Sequence, residues 1–170
     1  VYQTSVNAPR QRTQALIKQA AARAGIDLEL KSVVATVFFS SDVANPDTYP
    51  KFYADMQMYT TTMTEADPQT FMNQYVSWEC SQKSNNWQGR NPTRFRNDEY
   101  DRLFRESEGE MDPVKRTAMF IRMNDIVCNS NHIIPLLARP LVSAQVNAMR
   151  TNLSGWDNTH WLIGDWFKET

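Results

Sequence analysis

The sequence predicts one α/β domain over residues 1–170, and three observations carry that reading. Strand, helix and strand signals follow one another over residues 1–33, the order of a βαβ unit. Polar caps close to a proline recur as helix starts, at Asn7-Ala8-Pro9, Asp67-Pro68 and Asp112-Pro113. No repeat, low-complexity tract or shift of composition divides the chain, and 41% apolar with 22% charged residues suits one sizeable core.

Residues 1–6 read as a short strand. Asn7 then caps a helix, Pro9 suits its first turn, and Ala15, Leu16, Gln19, Ala22 and Ala24 continue it at roughly helical spacing. Gly25 ends it, where a left-handed residue is wanted. Residues 26–33 alternate apolar and polar and predict a half-buried strand. Asp42, Asn45, Pro46, Asp47 and Pro50 make residues 41–51 a loop. Residues 53–60 alternate again and predict a third strand. Asp67-Pro68 opens a helix whose apolar face is Phe71, Met72, Tyr75, Val76 and Trp78.

Residues 80–96 are polar and irregular, and a loop of that length is commonly functional. Asn97 caps a helix carrying Tyr100, Leu103 and Phe104, and Asp112-Pro113 opens another carrying Ala118, Met119, Ile121, Met123, Ile126 and Val127. Residues 132–137 read as a strand, with Pro135 arguing against a central position, and residues 142–146 as its neighbour. From Asn152 the tail is aromatic, with Trp156, Trp161, Trp166 and Phe167.

Composition removes several functions. Lys plus Arg is 18 and Asp plus Glu is 19, so the net charge of -1 does not suit a nucleic-acid binder. Only 5 Gly argues against phosphate loops. No stretch reaches the ~20 apolar residues of a membrane span. Residues 1–6 lack the basic and apolar regions of a signal peptide, and the chain begins without Met, as a mature or excised chain does. Its two His and two Cys are too far apart for metal-ligand spacing. No nucleophile elbow is present, so His132 and His160 read as packing or capping residues before catalytic ones. Glu106, Glu108 and Glu110 with Arg102 and Arg105 form a solvated, ion-paired face.

Two features keep alternatives open. Arg90, Arg94 and Arg96 interleave with Trp87 and Phe95. They read first as a loop pinned by ion pairs, then as capture of a ligand carboxylate by a planar guanidinium, and last as a nucleic-acid patch. Cys80 and Cys128 are buried free thiols in a reducing compartment. In an oxidising one they form a disulfide, the preferred reading, closing about 48 residues for roughly 4 kcal/mol.

Motifs along almost the whole chain, in order, resemble the extracytoplasmic solute-binding proteins of family 5, the peptide, nickel and opine receptors of ABC importers. Gly25-Ile26-Asp27-Leu28-Glu29-Leu30 resembles G-I-x-V-E-L, and Ala54-Asp55-Met56-Gln57-Met58-Tyr59 resembles F-D-M-x-L-Y. Asp67-Pro68 with Phe71 resembles D-P-D-x-F, and the run from Asn91 to Asp101 resembles N-Y-S-G-Y-S-N-P-E-F-D. Asp112-Pro113-Val114-Lys115-Arg116 resembles D-P-x-K-R, and Ile134-Pro135-Leu136 the late I-P-L strand.

The resemblance implies a periplasmic-binding-protein-like lobe of the type II class, with a mixed sheet and flanking helices. It implies a fragment, most of the C-terminal lobe of a larger two-lobed protein. It further implies a periplasmic or extracytoplasmic receptor, no enzyme, no cofactor and no metal. The partners implied are a peptide-like or opine-like solute, the missing N-terminal lobe and the ABC permease subunits, with no nucleic acid. Where peptide-binding members hold the α-amino group with an Asp, this chain has Thr64, with Glu65 beside it; where a Trp often precedes, it has Thr61. One wall of the cleft is expected at Tyr59, Thr61, Thr64 and Glu65, and a second at Trp87, Arg90, Asn91, Arg94 and Arg96. A lone lobe supplies half the contacts, so weak binding is expected of the chain by itself. The rivals are a small α/β hydrolase using His132 or His160, and an interaction domain built on the aromatic tail.

Overall fold

The computed structural model describes residues 1–63, 65–138, 142, 144–151 and 162–169. The chain opens as predicted, with β1 (Tyr2–Ser5), α1 (Ala8–Arg23) and β2 (Leu30–Val33). β1 and β2 pair in parallel, Tyr2 beside Leu30 and Ser5 beside Val33. The α1 start is the expected one: Asn7 Oδ1 accepts from Arg10 N at 3.3 Å. Gly25 follows the helix with φ +78, a conformation that costs a side-chain-bearing residue.

The face of α1 differs from the expected one. Leu16 is 66% exposed, whereas Gln14 is buried. The Gln14 Nε2 donates to the carbonyls of Tyr2 at 2.8 Å and Lys31 at 3.4 Å, tying the helix to β1 and β2. A buried amide of this kind is tolerated because its donor is satisfied.

After β2 comes a single turn, α2 (Ala35–Phe38), which the sequence pattern does not announce. Phe38 is fully buried there and packs on Phe39 and Tyr49. The third strand, β3 (Met56–Met58), is shorter than the expected 53–60. It pairs in parallel with β1, Tyr2 beside Met56, and it can be no longer than the short β1 allows. The sheet order is β2-β1-β3.

The expected helix after Asp67 breaks up. It becomes α3 (Gln69–Met72), a 3₁₀ turn at Asn73–Tyr75, extended Val76 and a second 3₁₀ turn at Ser77–Glu79. Asp101 holds the break: one carboxylate oxygen accepts from Ser77 N at 2.9 Å and the other from the Ser77 hydroxyl. The two later helices stand as predicted, α4 (Asp98–Gly109) and α5 (Pro113–Asn129). Asn97 accepts from Tyr100 N at 2.9 Å, and Asp112 from Val114 N at 2.9 Å. Tyr100, Phe104, Phe120, Met123 and Val127 of α4 and α5 close a core with Met72, Val76 and Phe95.

Residues 132–137 form no strand. Pro135 lacks the N–H a ladder needs, and Ile134, Leu136 and Leu137 are exposed. Residues 142 and 144–146 are likewise outside any strand. Pairing occurs later, between β4 (Met149–Arg150) and β5 (Phe167–Lys168), which run antiparallel. Among the described residues the parallel and antiparallel pairing expected of one mixed sheet falls in two sheets, one parallel and one antiparallel. Trp156, His160 and Trp161 lie outside the described residues.

Candidate functional site

The sheet order locates a site before any side chain is considered. The chain runs from β1 to β2 on one side, then to β3 on the other side of β1. The carboxyl ends of β1 and β3 thus flank a topological switch point, where open parallel sheets bind ligands. The segment leaving β3 lines a cavity of about 220 Å³. Tyr49, Tyr59 and Phe71 are its aromatic lining, and Thr61, Thr62, Thr70 and Gln74 supply neutral polar groups. Glu65, Asp67 and Arg90 are its charged residues.

The surroundings fix these groups. Arg10, in the first turn of α1, donates to the hydroxyls of Ser5 and, at 3.2 Å, Thr60, joining the ends of β1 and β3. The Tyr49 and Tyr59 rings lie 5.4 Å apart, and Phe71 meets Tyr75 edge-on at 6.4 Å. Burial, reinforced by Tyr75 and Tyr49, pushes the Tyr59 phenol well above its ordinary range. Burial likewise pushes Tyr75 up to about 12. Both are neutral hydroxyls at physiological pH. Arg116 holds Asp67 at 2.8 Å and lowers its pKa, chiefly through their hydrogen bond. Glu65 accepts from the Thr70 hydroxyl at 3.0 Å. The Arg90 guanidinium makes no hydrogen bond or ion pair with any described residue.

The structure thus brings four of the expected residues to one cavity: Tyr59, Thr61, Glu65 and Arg90. Thr64 lies outside the described residues. The other loop residues do not line the cavity. Asn91 is fully buried. Its Nδ2 donates to the carbonyls of Val76 at 3.1 Å and Phe95 at 2.9 Å, and its Oδ1 accepts from Thr93 at 2.9 Å and Phe95 N at 3.2 Å. Arg94 is spent on the carbonyls of Ser81 at 3.2 Å and Lys51 at 2.6 Å. It also lies 5.6 Å from the Trp87 ring, which meets Tyr53 edge-on at 5.6 Å. Arg96 is exposed and away from the cavity. Among the described residues the loop is pinned by carbonyls, an aromatic stack and Gly89, and by no ion pair. A Cβ on Gly89 would stand 2.2 Å from the Glu79 carbonyl oxygen.

Tyr49 and Phe71 were not among the expected site residues. The alternation of residues 53–60 marks Tyr59, but nothing in the loop before it marks Tyr49 as its neighbour. The expected Cys80–Cys128 disulfide is absent. Both are free thiols, Cys80 buried against Asn91 and the Phe95 carbonyl, Cys128 exposed on α5. Their opposite environments separate them. His132 stacks edge-on against Phe95 at 5.4 Å, and its Nδ1 lies 3.3 Å from the Ser130 carbonyl, a packing environment. Among the described residues, no cluster of His, Cys, Asp and Glu is arranged to hold a metal ion, and no helix is long and apolar enough to cross a membrane.

No protein-family model and no curated protein matches the sequence. Among solved structures, the chain is similar to the oligopeptide binding protein from Thermus thermophilus complexed with a pentapeptide, at 24% identity and a TM-score of 0.64. The match covers 77% of this chain and 22% of that one, so the chain spans under a quarter of that protein's length. The likeness establishes the fold: an α/β unit with a parallel sheet, similar to part of an oligopeptide-binding protein.

Proposed function

We propose that the chain is a lobe of the solute-binding component of an ABC importer. It captures a peptide-like or opine-like solute outside the cytoplasmic membrane and delivers it to the permease. The observation that carries the reading is the aromatic cavity at the carboxyl end of a parallel sheet. The fold likeness and the ordered family-5 motifs support it. No covalent step is needed. A solute that touches both lobes only when they are closed shifts the population toward the closed form, which the permease then reads.

The test is thermal unfolding of the full two-lobed protein that contains this chain, against a panel of tripeptides to pentapeptides and opines. At ten times Kd, a solute adds about 1.4 kcal/mol. A concentration-dependent rise that weakens in Tyr59→Ala supports the proposal. No rise with any panel member at millimolar concentration refutes it.

A further inference from the structure

We propose that this cavity receives the carboxylate-bearing aromatic end of the solute, the carboxylate on Arg90 and the ring against Tyr49, Tyr59 and Phe71. The inference rests on the solute-binding reading and adds which end of which solute the cavity selects. Three observations carry it. First, Asp67 is already neutralised by Arg116 at 2.8 Å, and Glu65 carries the Thr70 hydroxyl at 3.0 Å. Among the described residues, Arg90 is the one cation lining the cavity, and its guanidinium has no partner there. A guanidinium offers a planar pair of donors that matches a carboxylate. Second, the aromatic lining presents faces and edges suited to another ring, with Tyr49 and Tyr59 already 5.4 Å apart. Third, about 220 Å³ is below the roughly 300–1,000 Å³ of a site that encloses a whole small molecule. It suits one end group, not a whole oligopeptide.

The experiment is an NMR titration of the isotope-labelled protein with N-acetyl-phenylalanine, its neutral amide and N-acetylglycine, followed at Tyr59, Thr61 and Phe71. Arg90 is exposed, so the acid is expected to bind about two- to five-fold tighter than the amide, the range of an exposed ion pair. It is also expected to bind more tightly than N-acetylglycine, which has no ring. Arg90→Gln should bring the acid down to the amide, while Lys83→Gln, which removes an exposed charge elsewhere on the loop, should leave the preference intact. Equal binding of acid and amide, or an unchanged preference in Arg90→Gln, overturns the inference while solute binding stands. So does N-acetylglycine binding as tightly as the aromatic acid. If no probe perturbs these resonances the inference also falls, and the thermal panel decides the broader reading independently.

Discussion

Arg116 grips Asp67 through both ends of its guanidinium, at 2.8 and 3.1 Å, and so ties α5 to the turn that borders the cavity. The same side chain donates to Gln69 at 2.6 Å and to the Ser107 carbonyl at 3.0 Å, and lies over the Phe120 ring. Arg116→Met should therefore lower stability by about 1–2 kcal/mol, more than an isolated surface pair would. The pair also has a pH signature. The folded-state pKa of Asp67 is lowered, so the unfolded chain binds more protons in this range and stability rises with pH. The contribution is complete above the unfolded value near pH 4 and is lost as pH falls through the lower folded value. Urea midpoints at pH 6 and pH 3 should show a smaller acid-induced loss in Arg116→Met than in the parent.

Asn91→Ala should destabilise the protein by about 2–4 kcal/mol. It empties a buried site, removes one partner each from the Val76 carbonyl and Phe95 N–H, and leaves the Phe95 carbonyl with only the weak Cys80 thiol donor at 3.8 Å. Urea unfolding measures the loss. A change within about 0.5 kcal/mol, the usual range of surface substitutions, would show that Asn91 does not organise the loop.

Gly89→Ala should cost about 1–3 kcal/mol, because the new methyl group meets the Glu79 carbonyl oxygen at 2.2 Å and the backbone must part. Arg90 follows Gly89 directly, so backbone amide shifts from Arg90 to Arg94 should accompany the stability loss in a heteronuclear NMR spectrum.

The two cysteines should label at different rates. Cys128 is exposed and should react with a thiol reagent in the native protein. Cys80 is buried, and burial raises its pKa, so it should react only on unfolding. Two reactive thiols under denaturing, non-reducing conditions are expected, and none would indicate a disulfide.

Much of the fold was legible because its signals are local. The caps at Asn7, Asn97 and Asp112 accept from backbone donors two or three residues on, so the pattern is visible in a short window. The apolar spacing of α4 and α5 was legible for the same reason. Tyr59, Thr61, Glu65 and Arg90 were legible as site candidates, but not the division of labour within the arginine loop. Arg94 reaches a carbonyl 43 residues away, and Asn91 turns inward to carbonyls and donors that only the folded loop presents. Residues 132–137 misled because a short apolar run is consistent with a strand but does not supply a neighbour to pair with.

The sequence by itself determined the α/β class, the opening parallel βαβ unit and the starts of the three long helices. Each depends on contacts between near neighbours or on a period of two or 3.6 residues. Tertiary structure alone decided that β3 joins the far side of β1, and so where the switch point lies. It also decided that Gln14 faces the sheet while Leu16 faces water, and that Arg90 alone of the loop arginines lines the cavity. Those outcomes depend on which distant carbonyl, ring or carboxylate each side chain meets, and no local window of sequence contains that partner.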